Sequence, residues 1–253
     1  MSSILLIHGS WHGAWCWHKV MPRLVAMGHD VLAPDLPGHG RALSAPGGIT
    51  LQSYIDALAP ILAAAREPLT VVAHSRGGLV LSALAELMPE KIASAIYLAA
   101  VLLRDGETVF DIAHHADDSL LLPNMFAAED RSWDMLREDA FDEVLYADCS
   151  AEDRALCHLL LTPEPLAPSL SPLSLSAARF GATYKVYIEL TEDRAVTPKW
   201  QRYMHQAVPC DEVHAIAASH SAYFSKPDEV AHLIAAIARS RGGARDTHEV
   251  APH

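Results

Sequence analysis

The sequence predicts an α/β protein in which helices cover both faces of a mostly parallel central sheet. Short apolar segments alternate with longer segments whose apolar residues recur at helical spacing. The short segments are apolar over continuous runs, which is typical of strands that are buried on both faces. The predicted strands are residues 4–7, 30–33, 69–73, 92–99, 183–190 and 212–216.

The predicted helices lie between these strands and supply the covering layers. In residues 51–65, for example, Leu51, Leu58 and Leu62 fall on one side of a helix. Helices that alternate with continuous apolar strands indicate a parallel sheet, in which ligands bind beyond the carboxyl ends of the strands. The predicted helices are residues 17–27, 51–65, 77–87, 198–208 and 227–238.

One segment, residues 105–179, breaks this alternation with five prolines, an acidic stretch and several apolar clusters. A segment of this length inside an α/β sheet is usually functional. We therefore predict a mostly helical cap at 105–179 and an α/β core formed by residues 1–104 and 180–241. The alternative is a second helical layer with no role at a site. We expect the polar, aperiodic residues 242–253 to be disordered.

Composition and charge indicate which binding partners and which cellular compartment are favoured. The formal net charge is −12 without any basic block, which disfavours nucleic acid or an anionic membrane surface as a partner. No apolar run approaches the length of about 20 residues that spans a bilayer, and no signal peptide is visible. The four cysteines form no C-x-x-C pair, so neither a zinc site nor a disulfide framework is predicted. We expect a cytoplasmic protein whose oligomeric state stays open, with a homodimer as one alternative.

The segment from Val71 to Gly78 predicts a nucleophile. An apolar strand runs into a serine flanked by small residues, and a helical pattern follows at once. This is the pattern of a nucleophile elbow, in which a sharp strand-to-helix turn projects the serine Oγ. The usual form is Gly-x-Ser-x-Gly, and Ala73 in place of the first glycine still leaves room for the turn. Ser75 is therefore the candidate nucleophile.

A catalytic serine needs a histidine base and an acid that orients the histidine. His220 follows the last predicted strand, and an acidic pair follows the strand before it, in the chain order of hydrolases with this elbow. Glu192 and Asp193 are adjacent, and either could accept the imidazole N–H. Asp105, after the strand at 92–99, is a further candidate, so chemistry alone leaves the acid open.

Two backbone N–H groups are predicted to stabilise an oxyanion. One belongs to Arg76, which directly follows the nucleophile at a helix N-terminus. The other is expected from the loop after the first strand, residues 8–13, where Ser10 is the favoured donor. The glycines of this loop allow the backbone to approach a substrate closely.

With these residues placed, the chain resembles the plant methylesterase and hydroxynitrile lyase branch of the α/β-hydrolase superfamily and its bacterial esterase relatives. The resemblance covers nearly the whole chain and implies the α/β-hydrolase fold with a cap insertion, without a metal or organic cofactor. Its motifs are HGSWHGAWCW at 8–17, AHSRGG at 73–78, VYIELTED at 186–193 with WQR at 200–202, and SH at 219–220. The implied site residues are Ser75, Asp193 and His220 as a triad, with Ser10 and Arg76 as oxyanion donors.

Two departures from this branch bear on function. Members with lyase activity carry a lysine after the triad histidine and a threonine after the first-loop histidine, whereas this chain has Ser221 and Gly9. Without an ammonium group to stabilise departing cyanide, hydroxynitrile lyase activity is disfavoured. Arg76 stands where relatives usually have Leu or Met, and a cation is unfavourable at a helix N-terminus. We expect a compensating salt bridge, and the alternative is that Arg76 steers an acidic or strongly polar substrate.

These residues predict a serine hydrolase that cleaves a carboxylic ester of a small, largely apolar substrate through an acyl-enzyme. One alternative is a small-molecule receptor of the same fold with slow or absent turnover. Another is triad-dependent attack on an amide, lactone or carbon–carbon bond, because fold and triad do not set the substrate. The candidate pocket residues are Trp11, His12, His74, Phe126 and Trp133. For the two histidines, loop packing and hydrogen bonding to the backbone are favoured over substrate contact.

Overall fold

The computed structural model describes residues 2–243. Of the predicted disordered tail, residues 242 and 243 belong to the last helix, contrary to the prediction, and residues 244–253 lie outside the described residues. The strands are β1 Ser3–Ile7, β2 Asp30–Leu32, β3 Leu69–His74, β4 Ile92–Leu98, β5 Met125–Ala127, β6 Trp133–Leu136, β7 Glu164–Pro165, β8 Lys185–Leu190 and β9 Glu212–Ile216. Six of them form one sheet in the order β2-β1-β3-β4-β8-β9, and every neighbouring pair is parallel. The predicted α/β fold with a parallel central sheet is therefore confirmed.

Helices cover both faces of this sheet. In chain order, the helices of the described residues are α1 Val20–Ala26, α2 Leu51–Ala64, α3 Gly77–Leu87, α4 Leu121–Asn124, α5 Phe141–Leu145, α6 Ala151–Leu160, α7 Ala167–Leu170, α8 Pro198–Ala207, α9 Ala222–Ser225 and α10 Pro227–Gly243. Strand residues alternate between two hydrophobic clusters, so that Leu6 and Val72 belong to one and Leu5 and Val71 to the other. The first cluster includes residues of α1 and α10, and the second includes residues of α2, α3 and α8.

Helix α1 begins later than the predicted start at residue 17. A 3₁₀ turn occupies Ala14–Trp17, and the α-helix itself begins at Val20. Pro22 explains the difference, because proline is tolerated in the first turn of a helix and not in its interior. With the helix starting at Val20, the proline falls at its third position.

The segment 105–179, which we call the cap, contains α4 to α7 and a small antiparallel sheet in the order β5-β6-β7. Most of its regular structure is helical, as predicted, but the three-stranded sheet was not predicted. Its strands are two to four residues long, which is too short to give a periodic signal. Asp134 on β6 and Glu164 on β7 are paired in register and buried.

Across the described part of the chain, none of the helices combines the length and the apolar character needed to cross a bilayer.

Candidate active site

Ser75 lies on a sharp turn between β3, which ends at His74, and α3, which begins at Gly77. Its φ of 52° is in the left-handed region, where a residue with a side chain is strained. The turn needs small neighbours. A Cβ at Gly78 would lie 2.0 Å from the Val101 carbonyl oxygen, and one at Gly9 would lie 2.8 Å from Ser75 Cβ. The first loop and the residues after β4 therefore pack so closely against the turn at Ser75 that only glycine fits at positions 9 and 78.

A chain of hydrogen bonds joins Ser75, His220 and Asp193. Nε2 of His220 lies 3.1 Å from Ser75 Oγ, and Nδ1 lies 2.7 Å from Oδ2 of Asp193. The three residues follow β3, β9 and β8, whose carboxyl ends meet at one edge of the parallel sheet. This arrangement lets the imidazole accept the serine proton at Nε2 while Nδ1–H donates to the carboxylate.

Asp193 is the carboxylate that contacts the imidazole of His220. Its Oδ1 accepts the backbone N–H groups of Ala195 at 2.7 Å and Val196 at 3.0 Å, which fixes the carboxylate. Burial raises the pKa of Asp193, while His220 and these N–H donors oppose the rise. The two other candidates lie elsewhere, since Glu192 is exposed and Asp105 accepts the N–H of Leu175.

The two predicted oxyanion donors face the same cavity as Ser75. Ser10 and Arg76 both line it together with Trp11 and His220. Within residues 2–243, the backbone N–H groups of Ser10 and Arg76 pair with no protein carbonyl. Both are therefore free to bind an oxygen that carries developing negative charge.

The cavity at Ser75 has a volume of about 50 Å³ and a largely apolar wall. This is well below the roughly 300–1,000 Å³ of pockets for drug-sized ligands, so it suits a small substrate. The core supplies Val101, Val196 and Trp200, and the cap supplies Val109, Phe110, Ala113, Leu121, Leu122, Met125 and Ser169. A wider groove of about 650 Å³ lies between the turn at Ala14–Trp17, the loop that follows β2 and the end of α6. None of the three residues of the hydrogen-bonded chain lines that groove, so the smaller cavity is the candidate site.

Of the five predicted pocket residues, Trp11 alone lines this cavity among the residues that the structure describes. Phe126 is 47% exposed and packs edge-on against Trp133, which lies on β6 beside β7. Neither of the two lines the cavity at Ser75. The residues that replace them include Leu121 and Leu122, whose only sequence signal was an apolar cluster in the cap.

His12 and His74 form hydrogen bonds to the backbone around the site, as the favoured interpretation expected. Burial lowers the pKa of His12 to about 3, so its ring is neutral. Its Nδ1–H donates to the Ser10 carbonyl at 2.7 Å, and its Nε2 accepts the hydroxyl of Tyr146 at the same distance. His74 donates Nε2–H to the backbone carbonyl of His220 at 2.9 Å. One histidine therefore holds the first loop, and the other holds the backbone of His220, the predicted base.

The salt bridge expected for Arg76 is present. Its Nη2 lies 3.0 Å from Oδ2 and 3.2 Å from Oδ1 of Asp134, and its Nη1 lies 3.7 Å from Oε1 of Glu164. The guanidinium also stands 5.8 Å from the centre of the Trp11 ring. Only 12% of the arginine side chain is exposed, so its charge is directed toward the cap carboxylates. This geometry does not favour the steering of an acidic substrate.

Glu164 is a residue that sequence reasoning missed. Its carboxylate accepts His39 Nε2–H at 2.9 Å, the Tyr54 hydroxyl at 2.9 Å and the backbone N–H of Trp11 at 3.1 Å. Burial raises the pKa of Glu164, but His39, Arg76 and these hydrogen bonds outweigh it and lower the pKa to about 2. Burial likewise lowers the pKa of His39, and the neighbouring carboxylate outweighs that effect and raises it. The network therefore contains two carboxylates, one guanidinium and a histidine that favours its charged form.

Comparison with known proteins agrees with this architecture. Residues 4–233 match the α/β hydrolase family. Methylesterase 7 of Arabidopsis thaliana is 31% identical over 92% of this chain and 95% of its own length. Putative methylesterase 11, a chloroplastic protein of the same plant, is 32% identical over 93% of this chain, which spans 63% of that relative's length.

Comparison with a solved structure shows that the similarity extends to the three-dimensional fold. The pyrethroid hydrolase from Sphingobium faniae JZ-2 superimposes with a TM-score of 0.85 at 28% identity, over 94% of this chain and 98% of that protein. The match of fold, the match over residues 4–233 and the sequence kinship with methylesterases all agree. This chain therefore belongs to the α/β hydrolase family.

Proposed function

We propose that this protein is a serine esterase that hydrolyses a carboxylic ester of a small, largely apolar substrate through an acyl-enzyme. The observation that carries the proposal is the continuous hydrogen-bond chain from Asp193 through His220 to Ser75, beside an apolar cavity. The kinship with methylesterases makes methyl esters the first series to test.

Acylation begins when Ser75 Oγ attacks the ester carbonyl carbon and its proton moves to Nε2 of His220. The carbonyl π electrons move to the oxygen, which then carries a negative charge. The N–H groups of Ser10 and Arg76, which pair with no carbonyl among the described residues, then bind this charge. Asp193 keeps Nδ1–H of the imidazole directed toward itself and stabilises the imidazolium.

The tetrahedral intermediate then collapses. The ester C–O bond breaks, and His220 gives its proton to the departing alcohol. A water molecule attacks the acyl-enzyme in the same way, with His220 again taking and returning a proton. The products are one carboxylic acid and one alcohol, and the serine is regenerated.

Replacement of Ser75 tests the proposal. The wild type is expected to give sustained turnover of short aryl and methyl esters, and Ser75→Ala to lower kcat by about 10⁴–10⁶-fold. Ser219→Ala is a matched control, because Ser219 precedes the base but its hydroxyl donates to Asp148 and lies outside the hydrogen-bonded chain. Substantial turnover by Ser75→Ala would contradict the assignment. A single stoichiometric burst by the wild type would instead favour the receptor alternative.

A further inference from the structure

Both backbone segments that carry the oxyanion donors are attached to the same two cap residues. Asp134 and Glu164 face each other in register on the paired strands β6 and β7. Each of them contacts both Trp11, which follows Ser10, and Arg76, which follows Ser75. The cap sheet therefore bridges the two segments whose separation defines the oxyanion site.

On the first segment, the contacts hold a strained residue. Trp11 has a φ of 62°, a left-handed conformation that is strained for a residue with a side chain. Its backbone N–H donates to Glu164 at 3.1 Å, and its indole Nε1–H donates to Oδ1 of Asp134 at 3.0 Å. Such strain persists only where the surroundings over-determine the conformation. The cap supplies that constraint directly beside the Ser10 N–H.

On the second segment, the contacts hold a buried charge. The Arg76 guanidinium lies between the elbow and the cap and is paired by Asp134 and, more distantly, by Glu164. An unpaired charge in this position would be costly, so the ion pair links the elbow to the cap sheet. The backbone N–H of Arg76 belongs to the turn that is linked in this way.

We propose that Asp134 and Glu164 are positioning residues of the oxyanion site, which set the spacing of its two N–H donors and make full activity depend on the docked cap sheet. Neither carboxylate touches the substrate. Their action is exerted through Trp11 and Arg76. This inference rests on the proposed esterase function.

The test compares Asp134→Asn and Glu164→Gln with a control that also weakens the cap. The control is Asp153→Asn, since Asp153 is a buried carboxylate of the cap helix α6 that pairs with Lys19 of the core at 2.7 Å. It touches neither oxyanion segment. A purely structural role would make all three variants behave alike, with lower stability and unchanged chemistry in the folded enzyme.

The readout is kcat, KM and the affinities of two matched inhibitors. An alkyl trifluoromethyl ketone forms a bond from its carbonyl carbon to Ser75 Oγ, with the serine proton passing to His220 and the negative charge remaining on the oxygen. The corresponding methyl ketone serves as the ground-state reference. The ratio of their affinities therefore measures oxyanion stabilisation independently of apolar binding.

We expect Asp134→Asn and Glu164→Gln to lower kcat and this affinity ratio by up to about 100-fold, with KM nearly unchanged, because small displacements of catalytic donors have large effects. Asp153→Asn should lower thermal stability and leave kcat and the ratio as in the wild type. Tyr54→Phe removes one donor to Glu164 and should give a smaller fall of the same kind, which keeps the test valid if the carboxylate variants do not fold.

Wild-type kcat and affinity ratio in the folded Asp134, Glu164 and Tyr54 variants would overturn the inference and leave the esterase function intact. Failure of the wild type to hydrolyse any ester, together with no adduct at Ser75, would overturn the esterase function and this inference with it.

Discussion

The core and the cap contribute to the candidate site in different ways. The core supplies Ser75, Asp193 and His220 on turns at the carboxyl ends of parallel strands, where the backbone itself fixes them. The cap supplies an apolar wall and the buried pair Asp134 and Glu164. Under the proposed function, the core carries the chemistry, whereas the cap shapes the cavity and aligns the groups that the core provides.

The buried carboxylates Asp193 and Glu164 illustrate this difference between the core and the cap. Asp193 accepts one imidazole N–H and two backbone N–H groups, so its surroundings belong to the core alone. Glu164 accepts groups from three core segments, through His39, Tyr54 and Trp11. Loss of Asp193 should therefore affect mainly the chemistry, whereas loss of Glu164 should lower both the stability and kcat.

The largest expected effect is on the core side. Asp193→Asn should lower kcat/KM for an aryl ester by about 10⁴-fold, because the amide no longer holds the imidazole tautomer or stabilises its charged form. Steady-state kinetics on purified protein measure this. Glu192→Gln, at the exposed neighbouring position, should retain full activity. A larger loss of kcat/KM in Glu192→Gln than in Asp193→Asn would assign the acid role to Glu192. It would contradict the role given to Asp193 in the core.

The next effect is on the stability of the cap. Glu164→Leu should lower the free energy of unfolding by about 3–5 kcal/mol, because it leaves the charges of Arg76 and His39 buried with less compensation. Urea denaturation monitored by tryptophan fluorescence measures this loss. Asp117→Asn is the control, since its pairing with Lys199 is exposed to solvent and should contribute little. Equal midpoints for the two variants would contradict the role assigned to the network.

The pH dependence of stability tests the lowered pKa of Glu164. The folded-state pKa of Glu164, about 2, lies below its ordinary value of 4.5, so its contribution is fully present above about pH 4.5 and is lost as the pH falls toward 2. The stability difference between the wild type and Glu164→Gln should accordingly be largest near neutral pH and shrink below pH 4.5. Denaturation curves at several pH values measure it. A difference that stays constant down to pH 3 would contradict the lowered pKa.

The smallest expected effect concerns the apolar wall. Leu122→Ala enlarges the cavity and should shift kcat/KM toward bulkier acyl groups by about 10-fold, the order that a few methylene groups give. A panel of esters that differ only in acyl size measures this preference. Leu159→Ala, at a cap position that is 82% exposed, should leave it unchanged. An identical shift in both variants would show that the cavity wall does not set the preference.

The core half of the site was predictable from the sequence because it depends on long elements and local turns. Continuous apolar strands gave the parallel sheet, and residues that follow such strands meet at one edge. The elbow at Ser75 needed small residues that are visible in the sequence. The choice of Asp193 over Glu192 was left open by chemistry and rested on resemblance, since their different burial is a property of the folded chain.

The cap half was less predictable because its contacts are non-local and its strands are short. The dipole argument predicted a partner for Arg76, but Asp134 lies 58 residues away on a four-residue strand. Glu164 meets Tyr54 across 110 residues and lies on a strand of two residues. Phe126 and Trp133 were expected at the cavity because they are large and apolar, yet the register of β5 and β6 places them elsewhere.

The most direct measurement of the central claim is covalent labelling with an alkyl fluorophosphonate, followed by peptide mass spectrometry. Attack of Oγ on phosphorus expels fluoride, and the predicted result is a single phosphonyl adduct on Ser75, formed rapidly in the wild type and far more slowly in His220→Ala. An unlabelled Ser75, or labelling that is equally fast without the imidazole, would contradict the claim that these two residues form one nucleophilic unit.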